Sequence, residues 1–89
     1  MAASRKEGRL INGKDRHTGR VIRISGPVVG VVGLEAVRLF DVVRVGEMGL
    51  VGEAIRLSGN LTTVQVYEET AGLRVGEPVY STGAALVAA

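Results

Sequence analysis

The sequence predicts an all-β fold, a small closed β-barrel of about six strands. Three observations carry this prediction. Apolar residues come in short Val-rich runs, Gly and other turn formers punctuate those runs at regular intervals, and the chain is only 89 residues long. β-branched runs bounded by Gly favour strands over helices. Several short strands with regular turn signals suit a barrel, whose closure removes free sheet edges. A chain of this length forms one domain. It buries only about 60–65% of its unfolded surface, so its core is modest.

The elements follow in order. Residues 1–18 lack sustained periodicity and are rich in charge and Gly; they are expected to form a poorly ordered basic leader, with residues 19–89 as the barrel. Arg20–Ser25 reads as the first strand, with Ile22 and Ile24 on one side and Val21, Arg23 and Ser25 on the other. Gly26-Pro27 breaks the ladder because Pro has no N–H to donate, and Val28–Val32 is expected to resume the strand across this kink. Gly33–Phe40 reads as a connecting loop with one helical turn, since Leu34, Val37 and Phe40 lie three apart. Asp41–Val45 is the next strand, with Val43 and Val45 sharing a face; Gly46-Glu47-Met48-Gly49 is a turn, and Leu50–Ser58 a further strand.

In that strand Val51, Ile55 and Leu57 share a face by period two, and Glu53 falls in phase with them. A buried carboxylate is costly unless it is paired. Two accounts stay open: a β-bulge at Gly52 or a rim position turns Glu53 outward, or Glu53 is buried with a partner. Ser58-Gly59-Asn60 is a hairpin turn. Leu61–Tyr67 then alternates cleanly, with Thr62, Val64 and Val66 opposite Thr63, Gln65 and Tyr67. Gly76-Glu77-Pro78 leads into a short strand Val79–Ser81, and Gly83 turns into a last strand Ala84–Val87.

The net charge of +2 hides an asymmetry. Residues 1–20 carry six basic groups against two acidic, a net of +4, and the remainder five Arg against seven acidic, a net of −2. A basic arm can attract nucleic acid or an acidic surface. The absence of Cys excludes a disulfide framework, a thiolate metal site and a Cys nucleophile. No run approaches the ~18 apolar residues of a membrane-spanning helix, and the first residues lack the apolar core of a secretory signal.

Candidate chemistry is sparse. Gly8-Arg9-Leu10-Ile11-Asn12-Gly13-Lys14-Asp15 matches the front of a phosphate-binding loop, but Asp15 stands where a magnesium-holding Ser or Thr is needed. No strand precedes it and no amphipathic helix follows, so it reads as coincidence. His17, the single His, has neither metal-ligand company nor a nucleophile partner. Glu68 and Glu69 are adjacent and would face opposite sides of a strand; they are expected to project from a corner and pair with Arg74 or a neighbouring chain.

Three blocks in register carry a resemblance. They are Gly19-Arg20-Val21-Ile22-Arg23-Ile24-Ser25-Gly26-Pro27-Val28-Val29, then Asp41-Val42-Val43-Arg44-Val45-Gly46-Glu47-Met48-Gly49-Leu50-Val51-Gly52-Glu53, then Val66-Tyr67-Glu68-Glu69-Thr70-Ala71-Gly72-Leu73-Arg74-Val75-Gly76-Glu77-Pro78-Val79. In order and spacing, residues 19 to 83 resemble the N-terminal β-barrel domain of the catalytic A subunit (alpha chain) of archaeal- and vacuolar-type rotary ATPases and ATP synthases. The resemblance implies a barrel that does no chemistry. Such subunits continue into a P-loop nucleotide-binding domain and a helical domain, and neither is found in these 89 residues. It therefore implies no catalytic, cofactor or metal residue in this chain, while the parent subunit uses ATP and Mg.

The function implied is structural. The barrel would belong to the crown of a hexameric ring, packed against neighbouring barrels of catalytic and non-catalytic subunits, while the parent couples ATP hydrolysis or synthesis to proton or sodium transport. The resemblance also implies a cytoplasmic location, peripheral to the membrane in the ATPase head. Glu47, Glu53, Tyr67, Glu69 and Arg74 are the outward residues expected to make contacts, and an isolated barrel is expected to self-associate. The alternative is a stand-alone or engineered small barrel that binds nucleic acid through its basic N-terminal arm. Against it stand the acidic balance of the barrel and the scarcity of aromatics for base stacking.

Overall fold

The computed structural model describes residues 18–85, with side chains to Thr82. Six strands form the domain: β1 (Thr18–Ser25), β2 (Val28–Val32), β3 (Asp41–Val45), β4 (Leu50–Ser58), β5 (Leu61–Val66) and β6 (Pro78–Ala85). They close into an antiparallel barrel in the order β1-β2-β5-β4-β3-β6. The start of β1, the end of β6, loop 33–40 and turn 59–60 share one end of the barrel, termed upper here. Turns 26–27 and 46–49 and loop 67–77 share the lower end.

Inward positions take Val because the interior of a six-strand barrel is narrow. Val21, Val29, Val31, Val43, Val45, Val64 and Val79 are fully buried. Each such side chain contributes about 1.5–3 kcal/mol relative to exposure. Leu34 and Val37 close the upper end of this cluster, and Leu73 the lower.

Several local expectations change. β1 begins at Thr18, and its alternation breaks at a bulge: Val21 pairs with Val31 and Arg23 with Gly30, leaving Ile22 without a partner. Val21 therefore faces the core and Ile22 solvent, while Ile24 packs only partly against the core. Gly26-Pro27 is a hairpin turn rather than a kink, since Ser25 pairs antiparallel with Val28. Gly26 at φ 59 followed by Pro gives the φ pattern of a type II′ turn, which suits a two-residue hairpin.

Loop 33–40 holds no helical turn. Leu34 and Val37 reach the core, but Phe40 is 56% exposed, with φ 70. Asp41 is buried in phase with Val43; its Oδ2 accepts the Arg38 amide at 2.9 Å.

In β4 the inward set is Leu50, Gly52 and Ala54, not Val51, Ile55 and Leu57. Pairing runs unbroken through Gly52, opposite Val43. The bulge lies instead between Ala54 and Arg56, at Ile55. Glu53 thus faces outward by simple alternation, and the buried-carboxylate account falls. Thr62, Val64 and Val66 point inward as expected. The expected pair of C-terminal strands is one continuous strand, β6, which runs through Gly83.

Candidate functional site

The expected contact residues fall into two groups. Glu53 lies on the outer wall, opposite Val42 and Gln65. The Tyr67 hydroxyl donates a hydrogen bond to Glu53 Oε1, and the Tyr67 amide donates to the Val51 carbonyl at 2.9 Å. Tyr67 therefore extends the β5–β4 ladder by one residue and lies over β4. The Glu53 hydrogen bond, then desolvation, then the Glu53 charge raise the Tyr67 phenol above its ordinary pKa.

The second group surrounds a residue that the sequence reading treated only as part of a turn. Glu77 Oε1 accepts the Glu47 amide at 2.9 Å, and Oε2 accepts the Arg74 amide at 3.0 Å. The Gly46 amide donates to the Pro78 carbonyl at 2.7 Å. One carboxylate thus ties turn 46–49 to loop 67–77. The rest of the loop is fastened in the same way. Glu68 Oε2 accepts the Val51 amide at 2.7 Å, Glu69 Oε2 the Ala71 amide at 3.1 Å, and Thr70 Oγ1 donates to the Gly26 carbonyl at 2.9 Å. The expected pairing of Glu68 or Glu69 with the Arg74 side chain is not formed among the described residues.

Glu47 and Arg74 border a shallow, open depression of about 530 Å³ at the lower end, beside Met48, Val75 and Glu77. Glu69 is tied within the loop, and Glu53 and Tyr67 stand on the wall, so the structure does not gather all five expected residues. Glu77 could have been found from the sequence: a Glu between Gly76 and Pro78, where two turns must meet, is well placed to take orphan amides.

The chemistry open to this surface is limited. Its carboxylates Glu68, Glu69 and Glu77 accept backbone amides. Among the described residues no group of three or more His, Asp or Glu could hold a metal ion. They also contain no helix to cap a phosphate. ATP and Mg therefore do not fit the described residues. No helix among them is long and apolar enough to cross a membrane. The Gly8–Asp15 segment and His17 lie outside the described residues.

Comparison with known proteins adds a family. The family model described as "ATP synthase alpha/beta family, beta-barrel domain" matches residues 21–83. The chain is 57% identical over 68 residues, 76% of its length, to the A subunit of the A-type ATP synthase of Thermococcus sp. (strain KI), of which it spans 12%. It is 57% identical over the same share to the corresponding A subunit of Pyrococcus horikoshii, spanning 7% of that protein. The A subunit of Desulfurococcus sp. (strain SY) is 57% identical, with 12% of it spanned.

Proposed function

The chain belongs to the ATP synthase alpha/beta family through its β-barrel domain, and from that premise we propose that it serves as the structural collar of the catalytic subunit in an A-type ATP synthase. The observation that carries this reading is the near-coincidence of the family match, residues 21–83, with the closed barrel. A closed barrel offers no free edge for stray strand pairing, and its lower loops are tied down by Glu68, Thr70 and Glu77. Closure and tied loops favour a stiff body, which suits a collar. In this reading barrels of catalytic and non-catalytic subunits pack side by side in a six-membered ring. The ATP, Mg and catalytic groups belong to the remainder of the subunit. The parent couples ATP turnover to proton or sodium movement from a cytoplasmic head at the membrane periphery. Among the residues expected to make contacts, Glu53 and Tyr67 lie on the wall available to a lateral neighbour, and Glu47, Glu69 and Arg74 lie on the lower loops.

The test is a chimera. This barrel replaces the matched 68 residues of the Thermococcus relative, and ring assembly with its partner subunits is followed by native mass spectrometry. The proposal expects closed rings at a yield close to that of the unaltered protein. Failure to form rings by a folded chimera would overturn it. The nucleic-acid reading loses ground because the relatives are ATP synthase subunits.

A further inference from the structure

The turn that leads into β3 carries unusual residues for a solvated turn. The Asp41 amide donates to the Arg38 carbonyl at 3.0 Å, and the Asp41 carboxylate accepts the Arg38 amide at 2.9 Å, so turn 38–41 is closed from both sides. Its two central residues are Leu39 and Phe40, 48% and 56% exposed. Gly, Pro, Asn and Asp commonly fill such positions, and at φ 70 Phe40 occupies the glycine position of a type II turn. A bulky side chain is strained there and persists only where its surroundings hold it.

Two more exposed apolar residues stand beside this turn. The Phe40 amide donates to the Ala54 carbonyl at 2.6 Å, which sets Phe40 against β4 just where its pairing with β3 ends. Ile55, the bulged residue, follows Ala54, and Leu57 lies two residues further; both are exposed. The backbone thus brings four exposed apolar residues to one corner of the upper end. The same corner is where the chain leaves the barrel, because Ala85 at the end of β6 pairs with Asp41. In an antiparallel ladder one further step from Ala85 falls at Phe40, and a second at Leu39. The sequence supplies Leu86 and Val87 for those two steps, and residues 86–89 carry no charged side chain.

We propose that the corner formed by Leu39, Phe40, Ile55 and Leu57 is the seat of residues 86–89, with Leu86 against Phe40 and Val87 against Leu39. The apolar turn then acts as a strap point. It holds the exit of β6 against β3 and β4 and sets the direction in which the chain leaves the barrel. The occupant is this segment because it is tethered at the corner, and a short tether gives a local concentration in the mM range. Four side chains are a small patch beside the ~800 Å² per partner of a stable complex, so a second copy competes poorly. The contact lies within one chain and does not rest on the collar reading.

The experiment uses the 89-residue chain, isotope-labelled, with nuclear Overhauser contacts recorded from about 0.05 to 1 mM, a range that brackets weak association. The expected result is contacts from the Leu86 and Val87 methyl groups to the Phe40 ring at every concentration. Leu86→Asp should abolish them and shift the Leu39, Phe40 and Leu57 amides while the β5 amides stay in place. Phe40→Asn puts a residue that tolerates positive φ in the turn, and it should return Leu86 and Val87 to the shifts of an unstructured peptide. If that variant does not fold, Leu86→Asp decides alone, since it alters no barrel residue. Leu86 and Val87 methyl groups without contacts to the corner would overturn the proposal, as would corner amides indifferent to Leu86→Asp. Corner signals that move with concentration would give the seat to a second copy and overturn it too.

Discussion

Turn 46–49 contains a natural comparison between two glycines. Both have positive φ, 80 at Gly46 and 67 at Gly49. A Cβ at Gly49 would meet nothing within 4 Å, whereas one at Gly46 would lie 2.6 Å from Leu73 Cδ1 and 2.7 Å from Glu77 Oε1. Gly49→Ala thus carries only the left-handed backbone cost, about 1–2 kcal/mol. Gly46→Ala carries the same cost and must also displace the Leu73 plug or the Glu77 clamp. Overpacking of that kind adds about 1–3 kcal/mol, for a total of about 2–5. For a domain of this size each kcal/mol moves Tm by roughly 4–8 °C. Urea denaturation of both variants separates the two contributions, and Gly46→Ala should be the less stable by at least about 1 kcal/mol. Equal losses would mean that the Glu77–Leu73 junction does not hold the lower end together.

Other outcomes follow from the same geometry. Glu77→Ala removes the acceptor of two amides and should cost about 1–3 kcal/mol, read by denaturation; protease cleavage should rise within loop 67–77 before it rises elsewhere. Folded Tyr67 holds its proton more tightly than free tyrosine. The stability this contributes is complete below the ordinary tyrosine pKa and is lost as pH rises through the raised value. In an ultraviolet absorbance titration Glu53→Ala should bring Tyr67 back toward the ordinary range, and an unchanged curve would remove Glu53 as the cause. Magnesium and ATP should leave the Tm of the 89-residue chain unchanged. A saturable rise, which reaches about 2.7 kcal/mol at a hundredfold excess over Kd, would refute the assignment of nucleotide chemistry to the rest of the parent protein.

The sequence made the strand count and the barrel legible because Val runs and Gly-bearing turns are local signals. β3 and β4 fall at Asp41–Val45 and Leu50–Ser58, as read from residues alone. What it hid was phase. Bulges at Val21/Arg23 and Ala54/Arg56 each insert one unpaired residue, Ile22 and Ile55, and both are apolar. Past each bulge, period-two reading goes out of step; in β4 it had already taken Val51 rather than Leu50, Gly52 and Ala54 as the inward set, because Gly and Ala give no apolar signal. Gly26-Pro27 was ambiguous for a related reason: a missing donor marks both kinks and hairpin turns, and only cross-strand pairing decides. The site was legible in part. Glu53 and Tyr67 were named as outward residues, but the alternation that turns Glu53 out is visible only once Leu50, Gly52 and Ala54 are known to face inward; their contact joins residues 14 apart, and the Glu77 clamp joins residues 30 apart. Such pairings depend on register. The outward placement of the three aromatic residues depended on knowing that aliphatic side chains, chiefly Val, fill the interior.

The central claim is mechanical: the barrel holds the ring, and nucleotide chemistry lies elsewhere in the parent protein. The most direct measurement compares the Thermococcus chimera with the same protein lacking the barrel, recording ring lifetime after dilution and ATP affinity per protomer. The account predicts that loss of the barrel shortens ring lifetime and leaves ATP affinity unchanged. A ring of unaltered lifetime with weakened ATP binding would contradict it.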